Sequence, residues 1–173
     1  MSSEEDLRAD GDSSIPGPRR RWQNRITRIL GCSYPILQGA MRMITLGEMA
    51  AAVSNCGGFG QIAASGLSND KLRAELKRAR ELTDRPVGVN IPIYRPNAFD
   101  ALEIAIEMGV TTVTTSAGNP AKMMERIREA GLRVVHKVSN ESMARKAQYA
   151  GGDAVVVTGF EAGGHIGRND GST

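Results

Sequence analysis

The residue best placed for chemistry is His165, which follows two adjacent glycines after an apolar run. The run "DAVVV" begins at Asp153, and it leads into the loop "TGFEAGGHIG". Glycines let a backbone approach a bound molecule closely and adopt conformations that other residues avoid. A histidine in such a loop titrates near neutral pH and can give or take a proton. We predict that Gly163, Gly164 and His165 belong to a catalytic loop, with a surface loop histidine as the alternative.

Two further polar side chains stand at the ends of apolar runs. Lys137 ends "LRVVHK", and a buried lysine is costly unless it meets an anion or an electron-rich ring. Neighbouring strand residues face opposite sides of a sheet, so we expect the preceding His136 to serve structural packing. Asn90 ends "PVGVN", where asparagine is unfavourable, and its amide suits the edge of a heterocycle. The alternatives are an exposed lysine and a turn residue before Pro92.

Small or polar residues also follow the other apolar runs. The segment "QGAM" (38–41) either leaves its backbone open to a flat ligand or packs tightly against the next strand. The segment "SAGNP" (116–120) shapes a turn and a helix start, with ligand contact as a second role. Gln61 follows a short apolar run, and Glu161 is either a charge partner for the loop or solvated.

The elements that must position these residues alternate along the chain. Six apolar, β-branched runs begin near residues 35, 57, 86, 111, 132 and 153, and a helical pattern separates each from the next. Such alternation predicts a parallel sheet covered by helices. Residues 22–30 predict a further short helix, packed through Trp22, Ile26 and Ile29 against the outside or bottom of the domain. Thr45 and Glu48 have the spacing of a capping box.

Two architectures fit this alternation, a doubly wound sheet and a (β/α)8 TIM-type barrel. Polar or glycine-rich residues follow nearly every strand, and in a barrel all those strand ends meet at one site. A doubly wound sheet needs them only at its switch point. We therefore predict a barrel. Because a barrel usually takes about 250 residues, the 173 residues supply about six βα units, as part of a longer protein or completed by a partner.

Composition narrows the class of protein further. The chain is 40% hydrophobic but 4% aromatic, so its core must be built from aliphatic residues and methionine. The net charge of +3 includes the local triplet in "RRRW", which predicts a solvated tail and no nucleic-acid partner. Two distant cysteines and two histidines give no metal site. No apolar stretch approaches the ~20 residues of a membrane helix. The acidic N-terminus is unlike a secretory signal, so we expect a cytoplasmic protein.

Several of these motifs together resemble the nitronate monooxygenases, formerly called 2-nitropropane dioxygenases. The segments "PILQGAM", "GGFGQI", "GVNIPI", "SAGNP", "VVHKV" and "GFEAGGHIG" have the order and similar spacing of that family. The FMN-dependent enoyl-ACP reductases are close relatives of the family. The resemblance runs from about Tyr34 to Gly167, and "EAGGHIG" is its most specific segment. The polar composition of residues 1–21 predicts a disordered tail, and the resemblance makes 22–173 the N-terminal part of an FMN-binding TIM barrel.

The resemblance implies FMN at the C-terminal ends of the strands and His165 as the catalytic histidine. Its implied cofactor contacts are the backbone of Ala40 and Met41, the side chains of Asn90 and Lys137, the loop glycines Gly163 and Gly164, and Thr158, where many members carry Gln. The implied reaction is oxidation of a nitronate or nitroalkane, with electrons passing through FMN to O2. In that family, the FMN phosphate is bound by glycine-rich turns of a seventh and an eighth strand, which this sequence does not include.

Other functions remain open at the level of the sequence. The closest alternative is an FMN- and NAD(P)H-dependent enoyl-ACP reductase, which the first half of the barrel does not separate from a monooxygenase. An alternative of another class is a catalytically inactive, truncated chain with exposed sheet edges, which are prone to association. A homo-oligomer is compatible with any of these functions.

Overall fold

Helices and strands alternate along residues 22–164, the part of the chain that the computed structural model describes. The helices are α1 (Arg25–Leu30), α2 (Gly47–Asn55), α3 (Asn69–Leu82), α4 (Ala98–Glu107), α5 (Ala121–Glu129) and α6 (Glu141–Ala150). The strands are β1 (Gly60–Ala63), β2 (Val87–Pro92), β3 (Thr112–Ser116), β4 (Arg133–Val138) and β5 (Ala154–Val157). The predicted tail, residues 1–21, and the residues from His165 to Thr173 lie outside the described part.

The five strands form one sheet in which every neighbouring pair is parallel. Their order across the sheet, β1-β2-β3-β4-β5, is the order of the chain. A doubly wound sheet reverses its strand order at the switch point, and this sheet does not. The arrangement is therefore the wall of a (β/α) barrel, as the sequence predicts.

One face of the sheet, which we call the outer face, packs against the helices. Its side chains include Ile62, Val89, Val113 and Val134, all at most 1% exposed, and they join helix residues in one large core. Helix α2 lies especially close to β1. A Cβ atom added at Gly60 would come within 1.9 Å of the Ala50 carbonyl oxygen, so only glycine allows this approach.

The opposite face of the sheet, the inner face, is apolar at its lower end. Phe59, Val135 and Leu30 form a second, smaller core there. The Phe59 ring occupies the space that a side chain at Gly88 would need, 2.6 Å from an added Cβ. Helix α1 closes this end because Arg133 Nη1 donates to the carbonyl oxygens of α1 and holds it at the N-terminal ends of β3 and β4.

Helix α1 lies at the bottom of the domain, and Ile29 packs there against the smaller core, as predicted, but Trp22 and Ile26 are not buried. Trp22 is 60% exposed and Ile26 39% exposed, whereas Thr27 and Leu30 are buried. The helix has only six residues, and its capping box fixes its rotation: Asn24 Oδ1 accepts from Thr27 N at 2.9 Å. Thr27 Oγ1 in turn donates to the Trp22 carbonyl at 2.6 Å. These local bonds outweigh the apolar spacing on which the prediction depended.

The capping box predicted at Thr45 and Glu48 is wrong. Helix α2 begins after Leu46, without a side-chain cap. Thr45 Oγ1 instead accepts from Met41 N at 3.0 Å, and Glu48 pairs with Arg78 at 2.8 Å. The side chains thus bind the preceding loop and the neighbouring helix α3.

The first predicted strand is reduced to an isolated parallel bridge between Leu37 and Phe59. Gln38 N donates to the Phe59 carbonyl at 3.0 Å, and Phe59 N donates to the Ile36 carbonyl at 2.8 Å. Ile36 is 62% exposed, so the expectation of a buried strand is wrong here. Among the described residues this segment pairs on one side only, with the start of β1.

Candidate active site

The C-terminal end of the inner face carries polar side chains where the lower end carries apolar ones. Asn90 is in register with Thr114, and Thr114 with Val135, so these three residues face the same side. Lys137, two residues beyond Val135 on β4, also lies on the inner face. Gln61 lies on the inner face of β1, in register with Gly88. We call this C-terminal end of the inner face, together with Gln38 and Thr158 at the ends of their strand segments, the mouth.

A chain of hydrogen bonds crosses the mouth from the first strand segment to β3. Gln61 Nε2 donates to the Gln38 carbonyl at 2.6 Å, and Thr114 Oγ1 donates to Gln61 Oε1 at 2.5 Å. Asn90 Nδ2 donates to Thr114 Oγ1 at 2.8 Å. Gln61 is 2% exposed and Thr114 is 5% exposed, so the protein, not bulk water, satisfies these groups.

Two buried polar atoms of the mouth have no partner among the described residues. They are Gln38 Oε1 and Thr158 Oγ1. A buried polar atom without a hydrogen bond costs about 1–3 kcal/mol, so each favours a bound group that can supply one. Gly39 and Gly163 face open space within the described part of the chain, because a Cβ added at either would meet no described atom within 4 Å. Orphaned polar atoms beside open backbone fit a flat, polar ring.

The predicted site residues occupy different parts of the mouth. Asn90 lies within β2, two residues before its end, so it is a strand residue and not a turn residue. Ala40 is half-buried in the loop after the first bridge, and Met41 is 40% exposed. The Met41 N–H donates to Thr45 Oγ1 at 3.0 Å and therefore already has an acceptor within the protein. Gly164 has a left-handed backbone, with φ of 73°. His165 lies outside the described residues.

His136 faces the helices, as its position beside Lys137 predicts. It is 1% exposed, and its Nδ1 lies 2.8 Å from Thr115 Oγ1 on the outer face of β3. Burial lowers the pKa of His136, and the Thr115 contact only partly opposes this effect. His136 is therefore a neutral packing residue at physiological pH, separated from the mouth by the sheet.

Sequence reasoning did not single out Thr114, and it noted Gln61 only as a polar residue after an apolar run, without a role in the site. The signal for Thr114 was present, because Thr112, Thr114 and Ser116 alternate in "VTTVTTS" and so share one face. The signal for Gln61 was weaker: a polar residue inside a run that is otherwise apolar. Only the folded sheet reveals that its side chain meets Thr114 across β2.

A cavity lies at the other end of the barrel wall. It measures about 440 Å³ and lies between the C-terminal ends of α3 and α4, beside Arg80, Thr83, Arg85 and Val110. Arg80, Asp84 and Arg85 line it over an apolar floor, and none of its described lining residues carries an orphaned buried polar atom, so we place the chemistry at the mouth. The described part of the chain holds no cluster of three or more metal-binding side chains. None of its helices is both long and apolar enough to cross a membrane.

The comparison with protein families matches residues 23–173 to the nitronate monooxygenase model. The nitronate monooxygenase of Pseudomonas aeruginosa is 32% identical, over 83% of this chain and 52% of that protein. A 5-hydroxy-7a-methyl-1-oxo-octahydro-1H-indene-4-carboxyl-CoA dehydrogenase of Mycobacterium tuberculosis is 31% identical, over 85% of this chain and 41% of that protein. The chain thus spans about half the length of the curated relatives it matches.

Solved structures give the same assignment of the fold. FabK from Thermotoga maritima superposes with a TM-score of 0.82 and 40% identity, over 86% of this chain and 48% of FabK. Nitroalkane oxidase from Streptomyces ansochromogenes superposes with a TM-score of 0.75 and 29% identity, over 86% of this chain and 52% of that protein.

Proposed function

Because the chain belongs to the nitronate monooxygenase family, we propose that its protein uses FMN and O2 to oxidise alkyl nitronates or nitroalkanes. The observation that carries this proposal is the mouth itself. A hydrogen-bonded polar chain, two orphaned buried atoms and open glycine backbone lie together at the C-terminal ends of the strands. This is the end of a barrel at which active sites are built.

The residues of the mouth fit the ring system of FMN. Its ring edge carries both N–H donors and carbonyl acceptors, which suit the Asn90 amide and the orphaned Gln38 Oε1 and Thr158 Oγ1. The open backbone at Gly39 and Gly163 leaves room beside a flat ring. We place the cation of Lys137 at an electron-rich edge of the ring. When bound, FMN supplies the two-electron chemistry that side chains lack.

His165 is the residue to which we assign proton transfer. A neutral nitroalkane must lose the proton on the carbon beside its nitro group, whereas a nitronate has already lost it. We propose that a His165 ring nitrogen takes this proton as a general base. The glycines before it, with Gly164 in the left-handed region, let the loop bring the ring over the substrate.

The test compares neutral and deprotonated substrates. We expect the FMN-loaded protein to consume O2 with 1-nitropropane and with its nitronate. His165→Asn should lower kcat/KM about 100-fold or more for the nitroalkane and much less for the nitronate. An equal loss on both substrates would contradict the role as base. A loaded wild-type protein that consumes no O2 with either substrate would contradict the proposed reaction.

The second candidate is an FMN- and NAD(P)H-dependent enoyl-ACP reductase, and the 40% identity to FabK favours it. It predicts that NAD(P)H bleaches bound FMN and that an enoyl thioester restores the colour without O2. A third candidate is a chain without catalysis, which predicts no flavin absorbance after incubation with FMN and gel filtration. Gel filtration also tests the homo-oligomer, and fractionation of cells that express the protein tests the cytoplasmic location that we propose.

A further inference from the structure

We propose that Gln61 and Thr114 are positioning residues that fix the orientation of the Asn90 amide. In this orientation Asn90 Oδ1 faces the mouth as an acceptor for an N–H donor on the edge of a bound ring. The identity of that ring as FMN rests on the proposed function, whereas the orientation rests on the hydrogen bonds of the protein.

The orientation follows from one backbone carbonyl. The Gln38 carbonyl can only accept, so the Gln61 group that meets it at 2.6 Å must be the amide nitrogen. Gln61 Oε1 therefore points toward Thr114, and the Thr114 hydroxyl has to donate its single hydrogen there, at 2.5 Å. Thr114 Oγ1 can then only accept a hydrogen bond. The Asn90 atom that meets it at 2.8 Å must therefore be the amide nitrogen.

The network can transmit this constraint because its two central residues are shielded from water. Gln61 is 2% exposed and Thr114 is 5% exposed, so solvent does not replace a lost partner. Gln61 lies on β1 and Thr114 on β3, so the hydrogen bond between their side chains spans the inner face of β2.

Gln61 also links two segments to which we assign cofactor contacts. Its amide nitrogen holds the Gln38 carbonyl, at the start of the segment 38–41, and its amide oxygen holds Asn90 through Thr114. Among the described residues, Asn90 Oδ1 has no hydrogen-bond donor of its own. Asn90 thus offers an acceptor to the ligand, and the network prevents the amide flip that would replace it with a donor.

The central variant is Gln61→Glu, because its side chain has the same shape and a titratable donor. Burial raises the pKa of a carboxyl. The ionised form has no hydrogen for the Gln38 carbonyl, whereas the protonated form donates to that carbonyl and accepts from Thr114. We expect the ratio of the variant's Kd for FMN to the wild-type Kd to fall from about tenfold at pH 8 toward one at pH 5.5. Gln61→Leu should keep a constant ratio over this range.

Thr114 provides the matched control. Thr114→Val should weaken FMN binding about tenfold, and Thr114→Ser, which keeps the hydroxyl, should restore it. Thr115→Val removes a buried hydrogen bond from the neighbouring residue on the outer face and should leave the FMN Kd within about twofold. Equal Kd values for Thr114→Val and wild type, or equal losses in Thr114→Val and Thr115→Val, would overturn the proposal.

A ligand-free measurement separates this proposal from the proposed function. In 15N spectra the Asn90 side-chain amide should shift in Gln61→Leu and in Thr114→Val, but not in Thr114→Ser or Thr115→Val. An unmoved Asn90 amide in both of the first two variants would overturn the positioning role, whether or not FMN binds. If the Asn90 amide shifts in these two variants while the wild-type protein fails to bind FMN, the result would support the orientation and exclude FMN as its ligand.

Discussion

Thr114 and Thr115 are neighbours on one strand, are both buried, and belong to opposite faces of the sheet. Thr115 points toward the helices and meets His136, in a layer that is otherwise aliphatic. Thr114 points into the mouth, where it connects Gln61 to Asn90. The hydrogen bond between Thr115 and His136 is enclosed by the core. The chain of hydrogen bonds through Thr114 ends instead at the Asn90 amide, whose oxygen has no donor among the described residues. The same residue type therefore serves packing on one face and, in our proposal, ligand recognition on the other.

The glycines show the same difference between the faces. At Gly60 the outer layer leaves no space, since an added Cβ would overlap the Ala50 carbonyl, whereas at Gly39 the mouth leaves a Cβ without any neighbour within 4 Å. Close packing is what stability requires, and an open, polar concavity is what a ligand requires. Mutations on the two faces should therefore separate stability from binding.

The largest effect is expected from Gly60→Ala. The added methyl group must push α2 away from β1, and overpacking of this kind typically costs about 1–3 kcal/mol, occasionally more. Because the contact is with backbone, which cannot change rotamer, we expect the upper end, about 3 kcal/mol, in the free energy of unfolding measured by urea denaturation.

The control for this prediction is Gly39→Ala. It should change the free energy of unfolding by less than about 0.5 kcal/mol and should weaken FMN binding, because its methyl group enters the space beside the ring. A Gly60→Ala protein as stable as wild type, or a strongly destabilised Gly39→Ala protein, would contradict the distinction between the faces.

A smaller effect is expected in the helix layer from Glu75→Gln. Glu75 Oε2 accepts from Gly47 N at 2.8 Å, and Glu75 Oε1 lies 2.8 Å from Lys71 Nζ, so this carboxylate joins α2 to α3. Burial tends to raise the pKa of Glu75, but the bonds to Lys71 and to Gly47 N outweigh burial and lower it. We expect the substitution to cost about 1 kcal/mol at pH 7.

The sign of the pH dependence provides the check on Glu75. A carboxyl whose pKa is lower in the folded state stabilises the protein above its unfolded pKa. This contribution is lost as the pH falls below the ordinary value of 4.5 and through the folded pKa. The difference in unfolding free energy between wild type and Glu75→Gln should shrink in that window. A difference that stays constant down to pH 3 would show that the charge does not matter.

The smallest expected effect is the pH dependence that His136 gives to the free energy of unfolding. Its folded pKa is lowered by burial, so the unfolded chain binds a proton first as the pH falls below 6.5. Stability present above pH 6.5 is therefore lost below it, down to the folded pKa. His136→Gln should remove this slope between pH 7 and pH 5, as measured by urea denaturation. His165→Gln is the control, and it should retain the slope.

The sequence predicts the wall of the barrel well, since six apolar runs separated by helical patterns become one bridge and five parallel strands in chain order. It also places His136 and Lys137 on opposite faces, because strand alternation is a local rule. It fails where hydrogen bonds to nearby residues of the chain compete with the spacing of the side chains. Thr45 bonds to the loop before its helix, and Trp22 stays exposed while Thr27 is buried.

The hydrogen-bond network of the mouth lies beyond sequence reasoning because it joins residues that are far apart in the chain. Gln61 and Thr114 are 53 residues apart, and nothing local to either residue indicates the other. Their contact requires that β1, β2 and β3 lie side by side in register. Motif resemblance selects Asn90 but gives no information on how its amide is held.

The most direct test of the account is to map FMN binding onto the two faces by 15N NMR of the labelled protein. We predict that added FMN shifts the backbone amides of Gly39, Ala40 and Gly163 and the side-chain amide of Asn90, and leaves the amides of Thr115 and His136 unchanged. The account would be contradicted by FMN-induced shifts that cluster instead around Arg80, Thr83 and Val110, at the cavity on the opposite end, or by no shifts at all.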